Sequence, residues 1–353
     1  MSLPDEPKVL WTYEPGETAF EATPVVADGV AYLGDADGTV HAVKLADGSP
    51  VWTTAFDKTG FLSPAAVDGG FLYAPDMDGV VHCLALADGA ERWTFETGTE
   101  TYAGPIVYRP EEGRPEKGKP LLLVPTEGGT LFALDAATGE ELWTFVIDAP
   151  LRCCPTVVGG HALLAGCDGQ LHAVDVATGL ETGACDIGGP TGNTAAVAEG
   201  VAYFGTEGGQ FFAIDASDPT SPAVKWTYRD PRGGQGIRTA AALSPEAVVY
   251  ANQAKTVYAL EPAAGKVLWT ARTRSGVDAS PLALGGGRVV VLTGRGRVLL
   301  LDAESGDELW AYDAGGSFVA SPAAAEGRVL VANTDGVLIC LGGEPQMNAD
   351  GRR

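Results

Sequence analysis

The chain has 353 residues, a formal net charge of -23 and a pI near 4.4. So acidic a protein excludes nucleic acid and anionic membrane as partners, because both are held by clustered Lys and Arg. A hydrophobic content of 45% excludes disorder, and 48 Gly and 23 Pro set between short apolar runs exclude a fold of long helices.

The N-terminus, MSLPDEPKVLW, has neither a basic region nor an apolar stretch of leader type, and no apolar run reaches membrane-spanning length. Six irregularly spaced cysteines fit mostly reduced thiols rather than a disulfide scaffold. A cytoplasmic monomer is the expectation. Residues 1–7 read as an extension, and KVLWTYE (8–14) reads as a strand carrying Trp11.

From Thr23 a pattern begins. TPVV (23–26) opens an alternating apolar run, VAYLG follows, DADG (35–38) turns the chain, and TVHAV leads into AVKLADGSPVW (42–52), which ends on Trp52. The same opening recurs as SPAAV (63–67), GPIVY (104–108), CPTVV (154–158), TAAVA (194–198), TAAAL (239–243), SPLAL (280–284) and SPAAA (321–325). The closing stretch recurs as CLALADGAERW (83–93), ALDAATGEELW (133–143), AVDVATGLETG (173–183), AIDASDPTSPAVKW (213–226), ALEPAAGKVLW (259–269) and LLDAESGDELW (300–310). These copies bring Trp93, Trp143, Trp226, Trp269 and Trp310, while Gly183 stands where blade four would carry a Trp.

Four short runs per unit, parted by Gly-rich turns and repeating every forty-odd residues, predict a propeller blade. The eighth unit runs through GRVLVANTDGVLICL (327–341) and stops without a Trp strand. The orphan strand 8–14 therefore completes it, and closing the ring this way removes exposed edges. The prediction is an all-β, eight-bladed propeller of four-stranded antiparallel blades, with one domain over 8–344 and a flexible tail over 345–353.

The closing stretch resembles the quinoprotein-type (PQQ-like) β-propeller repeat, Ala-x-Asp-x-x-Thr-Gly-x-x-x-Trp. Ala133, Asp135, Thr138, Gly139 and Trp143 match it fully; Ala173, Asp175, Thr178 and Gly179 match all but the Trp. Lys44 and Ala85 depart from it at the Asp. The resemblance covers nearly the whole chain. It implies the propeller fold, and a family that spans quinone-cofactor dehydrogenases, a cofactor-free outer-membrane assembly lipoprotein and kinase-associated sensors. Fold alone does not choose among these. In physical terms a Trp once per blade buries a large area and can stack on the small residue and the Thr-Gly turn, so it reads as a docking device.

His41, His82 and His172 share one repeat position, where other blades carry Phe132, Phe212 or Tyr258. Lying in separate blades, they read as aromatic-sized strand residues rather than a metal site. The turns around Asp35 and Asp37 and around Asp76 and Asp78 lack the further ligands of a calcium loop and read as hairpins. Blade four collects Cys153, Cys154, Cys167 and Cys185 with His161 and His172. Cys153, Cys154 and Cys167 form the weak alternative for a metal or redox site, but without CxxC-type spacing no metal is expected. A vicinal Cys153–Cys154 disulfide, which the resemblance makes conceivable, would be strained.

The segments just ahead of each opening run converge around the mouth of the central channel. They supply Phe20, Glu21, Phe61, Tyr102, Leu151, Arg152, Asn193, Ile237, Arg238, Val277, Asp278 and Phe318. An apolar rim with a few acids and arginines is either a ligand-binding funnel or a plug for the hub. On the opposite face YRPEEGRPEKGKP (108–120) projects as a charged loop. The leading expectation is a non-enzymatic scaffold, without cofactor, for a protein partner or a small apolar ligand on the funnel face. The alternative is an enzyme without a redox cofactor that orients an apolar substrate in the funnel. A PQQ- and calcium-dependent dehydrogenase is the third reading. It lacks the extra loops that family members of that class use for ligands.

Overall fold

In the computed structural model, which describes residues 3–110, 119–231 and 233–343, every regular element is a β-strand. The strands form eight four-stranded antiparallel sheets, and the innermost strands of neighbouring sheets lie against each other around a hub. The protein is an eight-bladed propeller. Residues 111–118 of the blade-three insertion and the tail 345–353 lie outside the described residues.

Blade three shows the plan. Ile106–Tyr108 lies at the hub, Leu121–Pro125 and Thr130–Asp135 follow, and Glu141–Val146 forms the rim. The two middle strands are buried nearly throughout, because neighbouring blades cover both faces of the sheet. The rim strand alternates exposed and half-buried residues, as a strand covered on one side must. Blade eight takes Ala323–Ala325, Arg328–Ala332 and Leu338–Gly342 from the C-terminal end and Lys8–Tyr13 from the N-terminal end. Lys8 stands opposite Gly342 and Tyr13 opposite Leu338, so the ring closes through the Trp11 strand as the sequence predicts.

The rim strand of each blade carries one extra residue just before the Trp position. In blade three Ala133 pairs with Trp143 and Leu134 with Glu141, which leaves Leu142 bulged. Blades one, six and seven bulge Val51, Leu268 and Leu309 in the same place. A bulge adds twist and re-aims the following side chain. Here that side chain is the Trp, and it is aimed at the next blade.

The docking is therefore between blades. The Trp11 indole N–H donates to Leu45 O at 3.0 Å, Trp52 to Leu86 O at 2.8 Å, and Trp143 to Val176 O at 3.1 Å. Each indole lies on the turn glycine of the following blade. A Cβ added to Gly179 would come within 2.6 Å of Trp143, and one on Gly139 within 2.6 Å of Trp93. These glycines also hold φ of +71° and +74°, the left-handed region that suits glycine. The motif Asp caps the same turn: Asp175 Oδ1 accepts from the amides of Ala177 and Thr178 and from the Thr178 hydroxyl. Opposite the Trp most blades place a small residue, Ala133 in blade three, Cys83 in blade two and Cys340 in blade eight, whereas blade seven pairs Trp310 with Leu300.

The two irregularities of the middle blades answer each other. Blade four presents Gly183 instead of a Trp, and blade five has the longer turn AIDASDPTSPAVKW. A Cβ on Gly183 would stand 2.5 Å from Pro219 O and 2.8 Å from Thr220. The longer turn occupies the place of the absent indole. At the other exception, blade eight has no turn to receive Trp310, because its fourth strand comes from the far end of the chain. Leu3 packs there, buried in the cluster that holds Phe318, Leu300 and Val329 with Trp310 against it, and Asp5 pairs with Arg288.

Candidate functional site at the channel mouth

The loops entering each blade follow a three-residue rule. The first residue is buried between blades, the second faces the mouth, and the third or fourth bonds back into the ring. The rule divides the predicted rim residues in two. Phe20, Phe61, Leu151, Ile237, Val277 and Phe318 take the first position, and each belongs to an inter-blade core cluster. Each is at most 2% exposed, so these side chains hold blades together and leave the mouth to their neighbours. Sequence alone could not assign the two positions, since an adjacent pair on extended backbone points opposite ways and either order was open.

Glu21, Tyr102, Arg152, Arg238 and Asp278 take the second position and are exposed or half-exposed. Leu62 and Val319, which the sequence reading passed over, share it. Asn193 is different again. It is buried, and its amide donates to Gly205 O at 2.9 Å and Ile237 O at 2.6 Å, bracketing blades five and six.

Below this rim runs a girdle of hydroxyls. The Ser321 amide donates to Thr23 Oγ1, the Ser280 amide to Ser321 Oγ and the Ala240 amide to Ser280 Oγ, each at 2.9 Å. The Cys154 amide donates to Thr194 Oγ1 at 3.0 Å. Cys154 is thus the sulfur member of the girdle position. All six cysteines are free thiols. Burial pushes the thiols of Cys153, Cys154 and Cys167 up, away from the reactive thiolate. Among the described residues no group of three or more His, Cys, Asp or Glu is placed to hold a metal ion.

The mouth has two unlike arcs. Val319 (43% exposed), the half-buried Leu62 and Tyr102 (46%) bring apolar surface to the entries of blades eight, two and three. Met77 (37%) adds to it from the neighbouring turn of blade two, and Glu21 of blade one sets an acid among them. Charged groups fill the arc from blade three to blade seven. Arg152 is bidentate on Glu127, with N–O distances of 2.8 and 2.8 Å, and this hydrogen-bonded pairing raises the guanidinium further. Arg238 lies 3.5 Å from Glu207 and 3.6 Å from Asp278, and Gln253 donates to Asp278 at 2.6 Å.

The repeat-position histidines do more than fill space. His41 Nε2 lies 2.9 Å from Asp35, and its Nδ1 lies 3.0 Å from the Tyr13 hydroxyl of blade eight. His82 sits between Asp76 at 3.3 Å and Glu91 at 2.8 Å, and His172 between Asp168 at 2.9 Å and Glu181 at 2.6 Å. Each imidazole ties a turn carboxylate to the rim strand or the neighbouring blade. Burial pushes the His82 imidazole down, and the Asp76 and Glu91 carboxylates outweigh it, so its pKa is raised. The six-residue spacing Asp35–His41 and Asp76–His82 was the available signal for these clamps. Two recesses lie away from the channel, one of about 530 Å³ beside Tyr13 and His41 and one of about 720 Å³ on the opposite face beside Tyr203 and Glu246.

Several solved propellers share this architecture. BamB from Moraxella catarrhalis superposes with a TM-score of 0.79 at 18% identity, over 97% of this chain and 99% of that one. Quinohemoprotein alcohol dehydrogenase from Comamonas testosteroni gives 0.78 at 18% identity, over 99% of this chain and 78% of the enzyme. At such identities the likeness is one of fold. In sequence, the outer membrane protein assembly factor BamB of Alkalilimnicola ehrlichii is 46% identical over 65 residues, and the match spans only 17% of this chain and 17% of that protein. The PQQ_2 family model, described as outer membrane protein assembly factor BamB, matches residues 4–110, 77–276 and 253–345, nearly the whole ring. The chain belongs to that family of PQQ-like β-propellers.

Proposed function

We propose that this protein is a non-enzymatic scaffold that holds a protein partner on its channel-mouth face. One observation carries the reading: the mouth pairs the exposed apolar side chains Met77, Tyr102 and Val319, Leu62 half-buried among them, with an arc of arginines and carboxylates on rigid blades. Protein interfaces favour Tyr, Met and Arg in this kind of setting. Membership of a family described as an assembly factor supports partner binding, and the Trp joints account for the repeat motif as packing. We place the scaffold in the cytoplasm as a monomer until it binds; six free thiols fit a reducing compartment, and fractionation of the native host tests that setting.

A photo-crosslinking residue at Tyr102, compared with one at the still more accessible turn residue Leu180, tests the face. The expected result is a discrete protein adduct from position 102 that Met77→Asp abolishes, and none from position 180. Adducts of equal yield from both positions, or from neither, would remove the mouth as the binding face.

A further inference from the structure

The charge of the molecule is not evenly spread. Between residues 247 and 300 there are seven Lys and Arg against two acids, in a chain whose net charge is -23. Both acids are removed from play. Glu261 sits in a turn on the face opposite the mouth, and Asp278 is engaged by Arg238 and Gln253. Three of the seven cations are also out. Arg297 pairs with Glu308 and Asp313, Arg288 pairs with Asp5, and Lys266 lies in the same opposite-face turn as Glu261.

What is left is a positive sector on the mouth side of blades six and seven. Lys255, Arg272, Arg274 and Arg295 are all exposed, and Arg238 borders them toward the channel. Backbone hydrogen bonds fix the loops that carry them. The Thr273 amide donates to Lys255 O at 2.9 Å, and the Gly294 amide donates to Gly276 O at 3.0 Å. The Ser317 hydroxyl ties the same loop to blade eight by donating to Gly294 O at 3.1 Å. Among the described residues Arg272 bonds to neutral oxygens, Ala254 O at 3.3 Å and Thr256 Oγ1 at 3.2 Å, and makes no ion pair. Lys255, Arg274 and Arg295 make no ion pair within 4.0 Å among the described residues. Asp313 and Asp335 mark the border of the sector on the blade-eight side.

We propose that this sector docks a short acidic segment of a protein partner, a run of a few Asp or Glu carboxylates. The inference rests on the scaffold reading and names the chemistry of the partner. Preset guanidinium and ammonium groups on ordered loops attract carboxylates and can bind them in forked pairs. Length discriminates between polyanions. A short carboxylate run ends within the sector, whereas a nucleic acid strand continues onto the acidic remainder and is repelled there.

The test uses the full chain and a labelled decapeptide of alternating Asp and Glu, followed by fluorescence anisotropy at low and physiological salt. The expected result is saturable binding that weakens with salt and falls at least about tenfold in the triple variant K255E/R274E/R295E. The control K44E/K225E/K266E makes the same change in net charge with exposed lysines at the opposite end of the blades, and should bind like wild type. Equal loss in both triple variants overturns the proposal, because net charge would then be the cause. So does tighter binding of a ten-nucleotide single strand, or salt-sensitive self-association that the first triple variant abolishes, which would make the occupant a second copy. Thermal unfolding of both variants checks that the ring is intact. Crosslinking at Tyr102 reports on the scaffold reading separately, so either can fail alone.

Discussion

The joint between blades three and four and the joint between blades four and five solve one packing problem with opposite parts. At the first, a large flat ring from Trp143 lies on a turn kept bare by Gly179. At the second the large part has moved across the seam: Gly183 is the bare surface, and the longer turn around Pro219 and Thr220 fills the space. The unit under constraint is thus the filled volume between two blades, and either side of the seam can supply it. A repeat that seems to decay in blade four is complementary once its neighbour is included.

Breaking the regular joint should have the largest effect. Trp143→Ala removes most of a half-buried indole and its bond to Val176 O, and should cost about 3 kcal/mol, read as a lower Tm and an earlier denaturant midpoint. Gly183→Trp, which restores the consensus on paper, should also destabilise, by about 2 kcal/mol, because the indole would overlap the blade-five turn. A neutral or stabilised Gly183→Trp protein would show that the second joint is not filled.

A sharper test separates strain from contact at the first joint. Gly179→Ala should cost about 2 kcal/mol, part from the positive φ and part from the 2.6 Å approach to the ring. In the Trp143→Ala background only the backbone part should remain, and a double-mutant cycle measures the difference. Strict additivity would mean the ring and the glycine do not touch.

The smallest effect concerns the clamps inside blades rather than the seams between them. The folded-state pKa of His82 is raised, so its stabilising contribution is fully present below the ordinary imidazole value of about 6.5 and fades as the pH rises through the raised one. Asp76 works the other way. Burial pushes its carboxyl up, but the His82 and Val80 hydrogen bonds outweigh that and lower it. Its share is present above the ordinary carboxylate value of about 4 and is lost only as the pH falls below it. Wild type should therefore exceed His82→Phe in Tm most clearly in mildly acidic buffer and converge with it in alkaline buffer. A gap that widens with rising pH would contradict this.

Much of the fold was legible, and for a physical reason. Middle strands covered on both faces read as continuous apolar runs, and the turns between them announce themselves with Gly. The strandless end of blade eight and the orphan Trp11 strand made ring closure the economical reading. What stayed hidden was pairing across blades. Trp11 and its acceptor Leu45 lie 34 residues apart, so a motif that looks self-contained in sequence is shared between two units in space. The functional face was half legible. The sequence reading placed both members of Phe20-Glu21 and of Leu151-Arg152 at the mouth, whereas Phe20 and Leu151 are buried between blades and only Glu21 and Arg152 face it. Leu62 and Val319 were passed over for their neighbours Phe61 and Phe318, because two adjacent apolar residues give no sign of which one is buried between blades, and Met77 lies in a turn outside the entry segments.

Ring closure through the Lys8–Tyr13 strand has a mechanical consequence. Lys8 pairs with Gly342, so the two chain ends leave the last blade at the same corner of one antiparallel pair. Tension between the termini therefore loads the strand pair one hydrogen bond at a time, as a zipper, rather than shearing all of them together. The ring should open at low force at this single seam and leave seven blades loaded only after it has parted.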